Sequence, residues 1–462
     1  MEHRLPLLTG GARDAPERQR TLEQAIGWSY EFLDEPERRL LVRLSVFSGG
    51  WTLDAAEAVC GTGIDVLEGL QTLMENSLVR RIDLADGTSR FTMLETIREF
   101  AEDRRDAFGT DDRDDIERRH AQRFRDLAEE AEPHLTGEDQ ARWLEILQRE
   151  HDNLRAALER AERSDDPDRL AIAFSTAAPI WRFWQSRGHL AEGRDRLRRP
   201  VAHPAAQRRD TARARALRGL GGIEYWLGEY APMQASYEEA LAIAQELDDP
   251  ALVARALFDL SFLSAVGRME PGAGVQMLRQ ALEVADEGDL SLRAQVWIGL
   301  GVSALFAGHP DDAAEPIERG LALIRRSGDR VAICDGLTAL GGVAFVAGDM
   351  DSARARIGEA TEVAATSDSP FVIATVILPH ALLANHDGRA RRAALLVGAA
   401  ARLEDDFDVR YPAAGLAFFG DPGDAARAAL GDDDFEQIRR EGYELGLDEV
   451  IALVTEDEAL RS

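Results

Sequence analysis

The chain offers few nucleophiles, bases or metal ligands in usable spacing. His380 and His386 are the closest pair among nine histidines. Six residues apart, they do not share a helix face as an i,i+4 metal-binding pair would. No Cys-x-x-Cys, H-E-x-x-H or G-x-S-x-G occurs. Cys60 and Cys334 lie far apart in apolar helical patterns and read as buried thiols of a reducing compartment. All 54 basic residues are arginine, since the chain contains no lysine. That excludes a Schiff-base or general-base lysine and a P-loop, whose lysine reaches the β/γ-phosphates. The glycines at 221–222, 299, 301 and 341–342 sit inside helical patterns and read as close helix contacts, not phosphate cradles. No catalytic, cofactor-binding or metal-binding residue is assigned. With 84 acidic residues the net charge is −30, which opposes binding to DNA, RNA or anionic lipid.

One cluster remains that suits recognition. Trp181-Arg182-Phe183-Trp184 is echoed by Tyr225-Trp226. Both stretches fall on the first helix of a repeat, the helix that lines the inner side of helical arrays. Core packing accounts for such aromatics. The functional alternative is a protein-partner site made by Trp181, Arg182, Trp184, Tyr225 and Trp226, because tryptophan and arginine dominate interface hot spots.

The elements that carry this cluster are legible from their period. Glycines 188, 228, 267, 308, 348 and 388 recur at intervals of 39 to 41 residues, each between two apolar helical stretches. Small residues follow five positions later (Gly193, Gly272, Ala313, Ala353, Ala393; Met233 excepted), and apolar ones nine later (Leu197, Tyr237, Ile317, Ile357, Val397). The second helix of the Gly267 unit is displaced by one residue, with Met277 and Ala281 in place of 276 and 280. This pattern predicts stacked helical hairpins, a tetratricopeptide-like α-solenoid over 166–405 with a period of about 40. Residues 406–462 break the period and read as an acidic helical cap.

Towards the N-terminus the chain predicts another module. Asp34-Glu35-Pro36-Glu37 starts a helix, and Gly49-Gly50 stops it. Thr52 caps a second, and a third runs from Asp65 to Asn76. Strands at Leu78–Leu84 and Arg90–Leu94 then flank an Asp-Gly turn. Three helices and a β-hairpin make a winged helix over 34–105. Its third helix carries Asp65, Glu68 and Glu75 and no basic residue, which argues against reading DNA. Residues 106–165 are expected to form a linker and helical adaptor, with the joint at 106–117. The fold class is mainly α. Met1–Leu8 has no apolar signal region, and the longest apolar run, Phe371–Leu378, is too short to span a membrane, so a cytoplasmic protein is expected.

Several stretches resemble STAND-class regulators, similar to bacterial LuxR-type and cyclase-associated ATPase proteins. They are Leu5–Gly11, Gln19–Leu22, Trp28-Ser29-Tyr30, Arg43–Phe47, Ala55–Cys60, Met93–Ala101 and Glu150–Leu158, together with Ala429-Leu430-Gly431 and Leu447-Asp448-Glu449 in the tail. The resemblance implies an NB-ARC-like ATPase preceding these segments, so that residues 1–33 would be a helical remnant joining to it and ATP would belong to that absent domain. It also implies a winged helix docked on the nucleotide module and repeats that sense a protein partner. Where related proteins place a phosphate-contacting histidine late in the winged helix, Met93-Leu94-Glu95 supplies none. The expected function is a non-enzymatic regulatory protein of signalling and transcription. The alternatives are a DNA-binding winged-helix regulator and a fragment of a longer ATP-dependent one.

Overall fold

The computed structural model describes residues 17–84, 86–137, 139–264, 271–366, 370–407, 416 and 418–455. The chain divides into two compact units, residues 1–128 with 146–176, and residues 129–145 with 177–462. Among the described residues there are 24 α-helices and one small sheet.

In the first unit α1 (Glu17–Glu31) precedes a winged helix of α2 (Glu35–Leu44), α3 (Leu53–Cys60) and α4 (Val66–Glu75). A capping box starts α2. The Asp34 carboxylate accepts from the Glu37 amide at 2.9 Å, and the Glu37 carboxylate accepts from the Asp34 amide at 2.8 Å. Such caps contribute about 1 kcal/mol. Thr52 and Asp65 cap α3 and α4 more simply, their side chains accepting from the Ala55 and Glu68 amides. Leu40, Leu44, Phe47, Val59, Leu70 and Leu73 form the core, each at most 1% exposed. The hairpin strands are β2 (Arg80–Asp83) and β3 (Ser89–Thr92). A two-residue strand β1 (Trp51–Thr52) adds to β3, giving the order β1-β3-β2, all antiparallel. That strand is too short to show a period in sequence. Then come α5 (Glu95–Glu102), α6 (Thr110–Ala131), α7 (Gln140–Arg149), α8 (His151–Glu162) and α9 (Pro167–Ala177), of which the end of α6, the first part of α7 and Ala177 of α9 count with the second unit.

The charged segment at 106–117 is not an open joint. Helix α6 starts at Thr110, and two buried arginines of the winged-helix region hold its acids. Arg43 pairs with Asp112 at 2.5 Å, and Arg105 reaches Glu117 at 3.4 Å. Counting charges could not show this, because Arg43 stands 69 residues from the Asp112 it neutralises.

The second unit is the repeat array. Its hairpins are α10 (Trp181–Arg187) with α11 (Leu190–Ala202), α12 (Thr211–Trp226) with α13 (Tyr230–Glu246), and α14 (Pro250–Phe262) with α15 (Pro271–Val284). They continue with α16 (Leu290–Phe306) and α17 (Ala314–Ile324), α18 (Arg330–Val346) and α19 (Met350–Ala365), and α20 (Pro370–His386) and α21 (Ala390–Phe407). Glycines 188, 228, 308, 348 and 388 all hold φ between 71° and 81°, the left-handed turn that β-carbons disfavour. Gly267 lies outside the described residues. Most of the expected packing positions are buried: Ala313, Ala353 and Ala393 are 0% exposed, and so are Leu197 and Ile317, while Val397 is half-buried. Gly272 differs, since it faces open space. The close approach falls instead to Gly274, where an added methyl would lie 3.1 Å from the Ser261 carbonyl. The tail forms α22 (Pro422–Leu430), α23 (Asp432–Tyr443) and α24 (Leu447–Thr455). Phe435, Ile438 and Ala426 pack on Ala393 and Ala394 of α21, covering the last hairpin.

Candidate partner-binding face of the helical repeats

The five aromatic-cluster residues part company in the structure. Trp184 is 1% exposed and belongs to the core; a methyl on Gly193 would come within 2.5 Å of its ring. It is removed from the candidate face, because the first helix of a hairpin must turn one aromatic against the second. Trp181, Arg182, Tyr225 and Trp226 remain partly exposed. Trp181 lies over the small backbone of Gly222, with its ring 3.0 Å from where a β-carbon would stand. The Arg182 guanidinium stacks on the Trp181 ring at 4.2 Å and donates to Gln185 Oε1 at 2.9 Å. Tyr225 and Trp226 meet edge to face at 5.0 Å.

Charged side chains from four first helices converge near this cluster. Arg218 of α12 pairs with Asp259 of α14 at 2.6 Å, and Arg255 of α14 reaches Asp289 and Gln295 at 3.3 Å. Asp335 of α18 completes the group. Its side chain is open to solvent, yet the surrounding helices enclose it and raise its pKa to about 7. Burial is the main cause, Asp329 adds to it, and the positive charge of Arg182 opposes it. Asp335 has no hydrogen bond or ion pair among the described residues, and Arg182 has no carboxylate partner there.

The sequence reading missed Arg218, Arg255, Asp259 and Asp335. Their signal is positional: Arg218 stands ten residues before Gly228, and Asp335 thirteen before Gly348, on the face of the first helix that also carries Arg182. Farther along α18, Thr338 and Gly342 follow Asp335 at i+3 and i+7, on the same face. There the surface turns apolar. A cavity of about 220 Å³ lies between α18 and α20, lined by Thr338, Gly342, Leu378 and Leu382 and covered by Leu416 and Phe419.

The winged helix presents a different surface. The exposed residues of α4 are Leu67, Glu68, Gln71 and Glu75, and the exposed strand β2 offers Arg80 and Arg81, with Arg81 tied to Asp83 at 2.8 Å. An acidic helix with two wing arginines gives little to neutralise phosphates. Behind it, β3 and the turn at Gly49-Gly50 are clasped by the residues just before and at the start of α8. Arg90 makes a buried, two-pronged ion pair with Glu150 and donates to the Gly50 carbonyl at 3.1 Å. Asn153, fully buried, accepts from the Ser48 amide at 2.8 Å and donates to the Gly50 carbonyl and Glu150. The Glu150-His151-Asp152-Asn153 stretch, noted in sequence only as a resemblance, is therefore a structural clasp.

A family model described as a winged helix-turn-helix domain matches residues 33–106. A putative HTH-type transcriptional regulator of Mycobacterium tuberculosis is 31% identical over 337 residues, which cover 70% of this chain and 37% of that relative. The chain thus spans little more than a third of that relative's length. Among solved structures, a Signal Transduction ATPase with Numerous Domains (STAND) protein with a tetratricopeptide repeat sensor from Pyrococcus horikoshii is 13% identical. It covers 98% of this chain and 70% of its own, with a TM-score of 0.43. A Rap protein complexed with competence and sporulation factor is 13% identical, with coverage of 73% and 99% and a TM-score of 0.46. The chain is a winged-helix domain joined to a tetratricopeptide-like array of helical hairpins, with relatives described as transcriptional regulators. Among the described residues no helix is long and apolar enough to cross a membrane, and no group of histidine, cysteine and acidic side chains could hold a metal.

Proposed function

We propose that this chain is a non-enzymatic regulatory protein of the cytoplasm that binds a protein partner through the inner face of its repeats. The observation that carries the reading is the pair Arg182 and Asp335: the charge of Arg182 acts on the Asp335 carboxyl, yet neither side chain makes a salt bridge among the described residues. Enclosed charges left unpaired weaken a fold unless a ligand or water completes them, whereas the neighbouring Arg218–Asp259 pair is already satisfied. The winged helix docks on protein in this reading, and a STAND-type nucleotide-binding module is the surface we assign to it. Partner binding at the repeats then biases that docking, a coupling between two sites. The LuxR-type affinity of the chain belongs to the same proposal, supported by the regulator relatives and the matching stretches.

The test is cross-linking capture from cell extract with wild type, Arg182→Glu and Arg391→Glu. Arg391 is an exposed residue on α21 paired with Glu441, and it serves as the control. The reading expects one protein recovered with wild type and Arg391→Glu and lost with Arg182→Glu, at unchanged melting temperature. Equal recovery by all three sinks it. The second reading, DNA binding, is favoured by the winged-helix match and the names of the relatives. A salt-dependent mobility shift that Arg80→Ala/Arg81→Ala abolishes would establish it; the acidic face of α4 predicts no shift.

A further inference from the structure

Two glycines at the same place in the repeat each seat an aromatic ring. Gly222 and Gly342 both stand six residues before their turn glycine. At Gly222 the ring is Trp181, fixed in the adjacent first helix. At Gly342 the ring comes from outside the repeats: a methyl there would lie 2.8 Å from Cζ of Phe419. Phe418 lies beside it against Phe306 of α16, the rings tilted and their centroids 5.2 Å apart, and meets Phe419 edge to face at 5.0 Å. The fit is loose. Leu416, Phe418 and Phe419 all stay partly exposed, and the 220 Å³ cavity remains beneath Leu416 and Phe419. Protein interiors close-pack with few voids larger than water, so these residues cover the seat without filling it.

We infer that Leu416, Phe418 and Phe419 are an internal occupant of the inner face, and that its partner is a peptide with adjacent aromatic residues that replaces them. The inference rests on the proposed protein-binding function and names the chemistry of the partner. Two observations fix that chemistry. The seat already takes a Phe-Phe pair, and it lies on the same stripe of α18 as Asp335, so a segment running along that stripe passes from aromatic contacts to the charged group at Arg182 and Asp335. A tethered segment competes at an effective concentration on the order of millimolar. It therefore weakens a free peptide of about 0.1 mM affinity by about tenfold.

The probe is a fluorescent ten-residue peptide with the chain's own sequence from Gly415 to Asp424, measured by anisotropy. Phe418→Ala/Phe419→Ala empties the seat and is expected to bind it about tenfold more tightly than wild type, while a peptide with both phenylalanines replaced by alanine does not bind. No binding to the folded double variant, or equal binding to both proteins, overturns the inference. If the double variant does not fold, Phe419→Leu takes its place: binding between the two extremes supports the inference, and binding equal to wild type overturns it. Peptide competition without any Arg182-dependent capture would leave the internal occupant standing and remove the protein-partner reading. Capture without peptide competition would do the reverse.

Discussion

Asp335 titrates where few carboxyls do, and this has a measurable consequence. Its pKa, 3.8 in an open chain, is about 7 in the folded protein, because enclosure and Asp329 outweigh the pull of Arg182. The folded state then binds more protons than the unfolded one between these values, so this group erodes stability as pH rises from about 4 to about 7. Asp335→Asn removes the effect. Its melting temperature is expected to match wild type at pH 4 and exceed it at pH 8, and a lower value at pH 8 contradicts the assignment. His120 behaves oppositely. It is fully buried between Phe47 and Phe124, and burial together with Arg160 holds its pKa well below 6.5. The folded state keeps it neutral, so its contribution is present above about pH 6.5 and fades as pH falls. Near-ultraviolet dichroism between pH 6.5 and 4.5 should show a shallower loss in His120→Gln than in wild type. Neither group was legible in the sequence, since burial, the main cause for both, depends on how distant helices pack, and the arginine that adds to it at His120, Arg160, stands 40 positions away.

Between the two helices of a hairpin, one contact recurs. The apolar residue nine places after the turn glycine packs on a glycine seven places before it: Tyr237 on Gly221, Ile317 on Gly301, Ile357 on Gly341. At Gly301 a methyl would also stand 2.5 Å from the Ala313 carbonyl, backbone that cannot step aside. Gly301→Leu is expected to cost about 1–3 kcal/mol, read as a lower urea midpoint, while the same change at the open Gly272 should cost far less. The sequence showed these glycines as contacts, because their spacing repeats. It could not show that Arg90, Glu150 and Asn153 form a clasp, because that pairing joins segments 60 residues apart and occurs only once. Glu150→Ala leaves Arg90 buried without its counter-charge and should destabilise by about 3–5 kcal/mol. Arg90→Met/Glu150→Leu should recover much of that loss, since an apolar pair needs no desolvation of charge. A double variant as unstable as the single one would show that the hydrogen bonds to Gly50, not the charge pair, hold the turn.

For the whole chain, the winged helix and the array were legible because each follows a period, 2 or 3.6 within elements and 40 between them. The candidate face was only half legible. Trp181 and Arg182 stood out by type, whereas Asp335 and the Phe418–Phe419 contact depend on how α10, α16, α18 and the tail meet in space. One of those meetings limits how the array can change. Helix α10 packs against α20, and the turn at Gly188 abuts Phe407 at the end of α21, where an added methyl would lie 2.7 Å from the ring. An array whose first and last hairpins stay apart can gain or lose a unit at the expense of one interface. Here the count of hairpins is itself specified. Removing residues 309–348, one whole period, would rejoin equivalent turns yet leave Gly188 and Phe407 without each other, so the shortened chain should unfold well below the parent temperature. Insertions and deletions that spare this fold should therefore be confined to its loops, and change should come by substitution along the inner stripe.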